Sequence, residues 1–126
     1  MILVTGGAGQ GKSRYAAELA LQEKMELIDD MQERIACWIR EGTDPLRQAQ
    51  TLLQTHPSSV IVLAEVGCGI VPVRREDRFL RDVTGQIGQL LASRADRVIL
   101  MQFGIPLTIK DKEAGEPKRR LSAGNL

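Results

Sequence analysis

Eight residues near the start of the chain combine glycines, a lysine and a hydroxyl group at a spacing that suits phosphate binding. They are Gly6-Gly7-Ala8-Gly9-Gln10-Gly11-Lys12-Ser13, and they match the pattern G-x-x-x-x-G-K-[ST] in full. Glycines let the backbone turn its N–H groups towards one point, where they cradle an anion. A lysine at this position reaches the β- and γ-phosphates of a nucleotide, and the serine hydroxyl is a ligand for Mg²⁺. The stretch therefore predicts a phosphate loop for ATP or GTP with magnesium.

Acidic side chains that follow buried strands fit the same chemistry. Asp29 follows a short apolar run, and Glu65 follows the strongest strand pattern of the chain, residues 60–64. An acid at the end of a buried strand holds Mg²⁺ directly or through water. We therefore assign the metal to Ser13 and Asp29, and we assign Asp30, which should point the other way, to the N-cap of the next helix. Glu65 is either a group that orients a nucleophile or water, or a solvated loop residue.

The elements that position these residues alternate between apolar runs of strand length and amphipathic helices. Strands are predicted at 1–5, 25–28, 60–64, 97–103 and 105–109, and helices at 13–24, 31–41, 45–55 and 76–93. Phe79 and Ile87 belong to the apolar stripe of the last helix. This order predicts an α/β fold: a single-domain, P-loop NTPase-like protein with a mainly parallel sheet of four to five strands and helices on both faces. The ligand should bind where the carboxyl ends of the strands meet.

Composition limits the classes of protein to which the chain can belong. The 126 residues suit one domain, a net charge of +1 gives no signal for nucleic acid, and 3% aromatic residues are too few for a base-stacking platform. No apolar run is long enough to span a bilayer and no signal peptide is evident, so we expect a cytoplasmic protein. We expect a nucleotide-binding domain at 1–109 and a mobile charged tail at 110–126, which has few large apolar residues to offset ordering entropy.

Several motifs outside the phosphate loop resemble those of one family. They comprise the opening Ile2-Leu3-Val4-Thr5-Gly6-Gly7 with Gly11-Lys12-Ser13-Arg14, the loop Glu65-Val66-Gly67-Cys68-Gly69-Ile70-Val71-Pro72, and the helix positions Arg78, Phe79, Arg81, Asp82 and Gly85. Together they resemble the adenosylcobinamide kinase / adenosylcobinamide-phosphate guanylyltransferase family. The resemblance covers the first two dozen residues and about 60 to 110.

The resemblance implies a cobalamin-biosynthesis kinase that phosphorylates the aminopropanol hydroxyl of (adenosyl)cobinamide, a corrinoid. ATP or GTP would be the donor with Mg²⁺, and the family tends to form homotrimers. The nucleotide-binding candidates are the loop residues Gly6 to Ser13 with Arg14. The catalytic candidates are Lys12, Asp29, Glu65 and Arg78. Arg78 is one of several arginines after the second loop, of which one or two would neutralise charge on the transferred phosphoryl group.

The chain also departs from the family pattern. The segment with the family's guanylylated histidine, between the first helix and the acidic strand, is missing, and Ala64 and Gly88 stand where asparagines are expected. His56 is the chain's single histidine, and we interpret it as a surface residue because no positioned partner is evident. Guanylyl transfer is therefore doubtful. Two alternatives stay open: a non-catalytic ATP- or GTP-binding module or partner subunit, and a small-molecule kinase with another acceptor.

Overall fold

Short β-branched and aliphatic runs form the sheet, and longer amphipathic segments form the helices around it. The computed structural model describes residues 1–65 and 75–113. Within these residues the strands are β1 (Ile2–Gly6), β2 (Glu26–Ile28), β3 (Ser59–Ala64), β4 (Arg97–Gln102) and β5 (Ile105–Asp111). The helices are α1 (Lys12–Glu23), α2 (Met31–Arg40), α3 (Pro45–Thr55) and α4 (Arg75–Arg94).

The sheet has the strand order β2-β3-β1-β4-β5, with β1 at its centre. Strand β1 pairs in parallel with β3 and β4, and β2 pairs in parallel with β3. Strand β5 is antiparallel to β4 and follows it through a turn at Phe103 and Gly104, whose φ angles of 52° and 74° are both left-handed. Left-handed residues at both turn positions match the right-handed twist of the flanking strands. The predicted α/β fold with a mainly parallel sheet is confirmed.

Helices cover both faces of the sheet, as predicted. On one face α1 packs through Ala16, Leu19 and Ala20. The opposite face is covered by α2, α3 and α4, whose buried residues pack with side chains from four of the strands. Because successive side chains of a strand point to opposite faces and both faces are covered, the central strands β1, β3 and β4 are largely apolar. None of the helices within 1–65 and 75–113 is long and apolar enough to cross a membrane.

The prediction that Phe79 joins the core stripe of α4 is wrong. Phe79 is 53% exposed, whereas Val83, Ile87 and Leu91 are buried. The reason is the position of α4 along the sheet. Thr84 already lies beside the last residues of β3, so the turn that precedes it has little sheet left to pack against.

The last strand is longer than its sequence pattern indicates. Strand β5 runs to Asp111, two residues beyond the predicted end at Ile109. Lys110 Nζ donates hydrogen bonds to the backbone oxygens of Ala92 (2.9 Å) and Ser93 (3.1 Å), near the end of α4. A lysine beside the last carbonyls of a helix is stabilised by the helix dipole, which explains why this charged residue continues the strand. Residues 114–126 of the predicted tail lie outside the described residues.

Candidate active site

The phosphate loop connects the end of β1 to the start of α1 and depends on glycine at several positions. Gly6, Gly9 and Gly11 have φ angles of 146°, 73° and 83°. A Cβ on Gly6 would lie 2.6 Å from the backbone oxygen of Met101 in β4, a distance that no side chain tolerates. The glycine at position 6 is therefore required by the close approach of two strands as well as by its φ angle.

Lys12 is held inside the loop. It is the first residue of α1, it is 9% exposed, and its Nζ donates a hydrogen bond of 2.7 Å to the backbone oxygen of Gly7. The first turn of α1 carries no acidic side chain. The ammonium group, the unpaired N–H groups of the first turn and the helix dipole thus combine into a positive site that attracts an anion such as a phosphate group.

Ser13 and Asp29 meet although they are 16 residues apart in sequence. Ser13 Oγ donates a hydrogen bond of 3.0 Å to Asp29 Oδ1. This hydroxyl and carboxylate fit the hard-cation chemistry of Mg²⁺, which commonly takes one or two protein ligands and completes its shell with phosphate oxygens and water. Residues 1–65 and 75–113 hold no group of three or more histidine, cysteine or acidic residues suited to a metal.

Asp30 occupies the N-cap position of α2, but the predicted side-chain cap is wrong. Its φ and ψ of 51° and 49° are left-handed, and its side chain makes no capping hydrogen bond. A capping residue normally has extended backbone angles, which direct its side chain to the N–H groups of the first turn. Asp30 instead donates its own N–H to Asp29 Oδ1 at 2.8 Å. It therefore orients the carboxylate that faces Ser13.

Gln32 is a site residue that the sequence reasoning missed. Its Nε2 donates to Asp30 Oδ1 at 3.2 Å, and its Oε1 accepts the N–H of Ala64 at 3.1 Å. Gln32 thus joins the end of β3 to the acidic pair that follows β2. The signal that would have found it is its position, because an amide in the first turn after an acidic strand end lies at the same edge of the sheet as the phosphate loop.

Of the other candidate residues, Glu65 contacts the phosphate loop, whereas Arg14 and Arg78 have exposed side chains. Glu65 lies next to this loop, since its N–H donates to the backbone oxygen of Gly6 at 3.1 Å, and its side chain is exposed. The Arg14 side chain is 91% exposed and its Nε lies 3.9 Å from Glu18 Oε1. Arg78 is exposed on α4. The second loop of the resemblance, from Val66 to Pro72, lies outside the described residues.

His56 lies at the amino ends of the strands, whereas the phosphate loop lies at their carboxyl ends. It precedes β3, and its Nδ1 lies 2.8 Å from Glu26 Oε1 at the first residue of β2. The phosphate loop follows the carboxyl end of β1, and β1 and β3 run parallel. A partly exposed imidazole at the amino ends of the strands is thus separated from the loop by the length of the sheet.

The sheet order, the glycine loop before α1 and the meeting of Ser13 with Asp29 define a P-loop NTPase-like α/β protein. Comparison with family models then identifies the family. The model described as "Cobinamide kinase / cobinamide phosphate guanyltransferase" matches residues 35–109, which is more than half of the chain. The chain belongs to this family. The match begins after the phosphate loop and Asp29, whose assignment rests on their motif and geometry.

Two curated proteins are similar to part of the chain. The "Bifunctional adenosylcobalamin biosynthesis protein CobU" of Salmonella typhimurium is 49% identical over 58 residues, and the protein of the same name from Escherichia coli is 47% identical over 58 residues. Each alignment covers 45% of this chain and 32% of the relative. The matched part thus spans about a third of the length of these relatives.

Proposed function

We propose that this chain is a kinase of cobalamin biosynthesis that phosphorylates the aminopropanol hydroxyl of (adenosyl)cobinamide, with ATP or GTP as the donor. The observation that carries the proposal is the contact between Ser13 and Asp29 beside the buried Lys12. Phosphoryl transfer depends mainly on positioning and charge stabilisation, and these three side chains supply both at the edge where a nucleotide would bind.

The reaction requires one bond to form and one to break at the γ-phosphorus. The acceptor hydroxyl oxygen attacks, the bond to the bridging β–γ oxygen breaks, and the nucleoside diphosphate leaves. We assign the hydroxyl proton to the carboxylate of Glu65, which is exposed and can pass it to water. Lys12 neutralises charge on the β- and γ-phosphates. Ser13 and Asp29 would hold Mg²⁺, which neutralises further charge on the phosphates when it is bound.

We restrict the proposal to the kinase half of the family's activities. Guanylyl transfer in this family uses a histidine. His56 lies at the amino ends of the strands, away from the phosphate loop, and its imidazole is paired with Glu26. No other histidine occurs in the chain. A nucleotide-binding module without turnover is the second candidate, and the feature that favours it is the missing histidine segment between α1 and β2.

The decisive experiment follows label from nucleotide into the corrinoid. The protein is mixed with Mg²⁺, adenosylcobinamide and γ-labelled ATP or GTP, and a parallel reaction uses α-labelled GTP. Label transferred from the γ-phosphate alone would support the kinase. Label from the α-phosphate would refute the restriction to the kinase step, and bound nucleotide without transfer of either label would favour the module.

Lys12→Ala tests the phosphate loop directly. We expect nucleotide affinity to fall about 10- to 150-fold, because a charged hydrogen bond contributes about 1.5–3 kcal/mol. Lys112→Ala is the matched control, since it removes the same charge from an exposed position. Isothermal titration calorimetry gives both dissociation constants, and thermal melts show whether each variant is folded. Equal affinities for the two variants would place the nucleotide elsewhere.

We also propose that the chain forms a homo-oligomer, with a trimer as the expected assembly. Strand β5 lies at the edge of the sheet and exposes Ile105, Leu107 and Ile109, which share one face of the strand. An exposed apolar edge strand is a common site of association. Light scattering after size-exclusion chromatography should give a mass of three 13.9 kDa chains, and Leu107→Lys should reduce it. A wild-type mass of one chain would refute the proposal.

A further inference from the structure

A cavity of about 330 Å³ opens between the first turns of α1 and the turn that joins β4 to β5. Its lining comprises Gly11 at the end of the phosphate loop, Arg14, Tyr15 and Glu18 of α1, and Met101 and Gly104. A Cβ on Gly11 would lie 3.9 Å from the Cα of Gly104, so the phosphate loop and the turn approach each other closely here. Met101 is buried, whereas most of the other lining residues are exposed, so a ligand can enter from solvent.

The order of the strands indicates which end of a nucleotide would face this cavity. The phosphate loop follows β1, the central strand. Asp29 and Glu65 follow β2 and β3 on one side of it, and the turn with Gly104 follows β4 on the other side. In the proposed kinase reaction the γ-phosphate faces the acidic groups that hold the metal and orient the acceptor. The nucleoside, at the other end of the triphosphate, would therefore extend past Gly11 towards β4.

Phe103, which directly precedes Gly104, is an unusual residue for its place in the turn. It is 89% exposed, more than any other large apolar residue that the structure describes. Its φ of 52° is left-handed, a conformation that suits asparagine or glycine and that bulky side chains rarely adopt. Its N–H donates a hydrogen bond to Oε1 of Gln10, which fixes the turn against the phosphate loop. An unfavourable residue held in a fixed place beside a binding loop points to a role in binding.

The size and surface of the cavity suit a flat, bicyclic ring system. Its volume corresponds to roughly eleven water molecules at about 30 Å³ each, which is room for the fused rings of a purine. Tyr15 and Met101 contribute apolar surface to the lining. Because the ring of Phe103 is almost fully exposed, it can rotate onto a base without displacing another side chain. Aromatic side chains bind nucleobases by stacking on their faces.

We propose that this cavity holds the purine base of the nucleotide and that Phe103 stacks on the base. The proposal rests on the proposed kinase function and adds a residue that determines nucleotide specificity. The phosphate loop binds phosphate groups, which all nucleoside triphosphates share. Phe103 supplies a contact whose strength depends on the base, and the larger face of a purine gives it more area to stack on than a pyrimidine does.

The first test separates the contribution of the nucleoside from that of the phosphates. The Mg²⁺ complexes of ATP, GTP and inorganic tripolyphosphate are titrated by calorimetry into wild type and Phe103→Asn. We expect Phe103→Asn to bind ATP and GTP about 5- to 150-fold more weakly, as for loss of stacking on one base, and to bind tripolyphosphate as wild type does. Its melting temperature should rise, because Asn-Gly is a favoured pair for this turn, whereas a purely structural role of Phe103 would lower it.

Two further variants serve as controls. Phe103→Tyr keeps the aromatic ring and should bind all three ligands as wild type does. Phe79→Asn makes the same change as the test variant at another exposed phenylalanine, on α4, which packs on the sheet face opposite α1. Phe79→Asn should also match wild type with all three ligands. CTP and UTP should bind wild type more weakly than ATP and GTP, and Phe103→Asn should narrow this difference.

The outcomes distinguish this proposal from the proposed function. Equal loss of affinity for nucleotides and tripolyphosphate in Phe103→Asn, or no loss for either, would overturn the base site. Transfer of the γ-phosphate to cobinamide by wild type would in that case leave the kinase intact. A loss confined to the nucleotides, in a protein that does not phosphorylate cobinamide, would support the base site and overturn the kinase.

Discussion

At the scale of single residues, the acidic pair is positioned by a chain of hydrogen bonds that starts in β3. The N–H of Ala64 bonds Gln32, the amide of Gln32 bonds Asp30, and the N–H of Asp30 bonds the carboxylate of Asp29, which accepts from Ser13. Asp29 follows a strand of three residues at the edge of the sheet. Such a short strand has few ladder hydrogen bonds, so the side chain of Gln32 supplies much of the local order.

Gln32→Leu should therefore weaken the metal site more than the phosphate loop. Loss of both amide contacts leaves Asp29 less well oriented, and we expect the Mg²⁺ concentration for half-maximal nucleotide binding to rise about tenfold, as for loss of one to two hydrogen bonds. Titration of a fluorescent nucleotide at varied Mg²⁺ measures it. Gln50→Leu, at an exposed position of α3, is the control. An unchanged Mg²⁺ dependence would show that Asp29 is positioned without Gln32.

Sequence reasoning predicted some residues of this site and missed others, because some of their interactions are local in sequence and others are not. The phosphate loop is a local structure, so its eight consecutive residues contain all the information that forms it. The partnership of Ser13 and Asp29 followed from a general rule on strand ends. Gln32 was missed because its partner Ala64 is 32 residues away. Asp30 was assigned a cap from its residue type, but residue type does not reveal the left-handed backbone at which its side chain makes no capping hydrogen bond.

At the scale of elements, the start of α3 shows a cap that sequence alone could predict. The side chain of Asp44 accepts hydrogen bonds from the N–H groups of Leu46 (3.1 Å) and Arg47 (3.4 Å), and Pro45 occupies the first turn. Each residue type is favoured at its position for local reasons, and the helix predicted at 45–55 is confirmed with these bounds. The exposure of Phe79 is the opposite case, because it depends on where the first turns of α4 lie relative to the sheet.

Asp44→Ala should lower the free energy of unfolding by about 1 kcal/mol, since two N–H groups at the start of α3 lose their acceptor. Asp44→Asn is the matched variant, because asparagine caps helices about as well as aspartate. Urea denaturation should thus give a lower midpoint for the alanine variant and a midpoint near wild type for the asparagine variant. The cap would be irrelevant to stability if both variants had the same midpoint.

At the scale of the whole molecule, Asp96 joins segments from both ends of the described chain. Its carboxylate lies 2.9 Å from the ammonium group of Met1, its N–H donates to the backbone oxygen of Met1 at 2.8 Å, and its own backbone oxygen accepts the N–H of Lys112 at 2.9 Å. The turn after α4 is thereby tied to the start of the central strand and to the end of the hairpin.

The hydrogen bond from the Met1 ammonium holds the pKa of Asp96 below its usual value, with smaller contributions from the charges of Lys112 and Lys110.

The lowered pKa of Asp96 predicts how its contribution to stability depends on pH. A carboxyl group whose pKa is lower in the folded than in the unfolded chain stabilises the fold above the unfolded pKa of about 3.9, and this contribution is lost as the pH falls through the folded pKa. Asp96→Asn should thus unfold more easily than wild type at pH 7, by less than about 1 kcal/mol because the side chain is 60% exposed.

The difference between Asp96→Asn and wild type should shrink as the pH is lowered through the folded pKa and should be smaller in 1 M salt, which screens an exposed ion pair. Urea midpoints measured from pH 7 down to the lowest pH at which the protein is folded provide the comparison. Glu113→Gln, at an exposed position just beyond β5, is the control and should follow wild type. If the difference is equally large at every pH, Asp96 acts through the shape and contacts of its side chain. Its charge then contributes nothing to the free energy of unfolding.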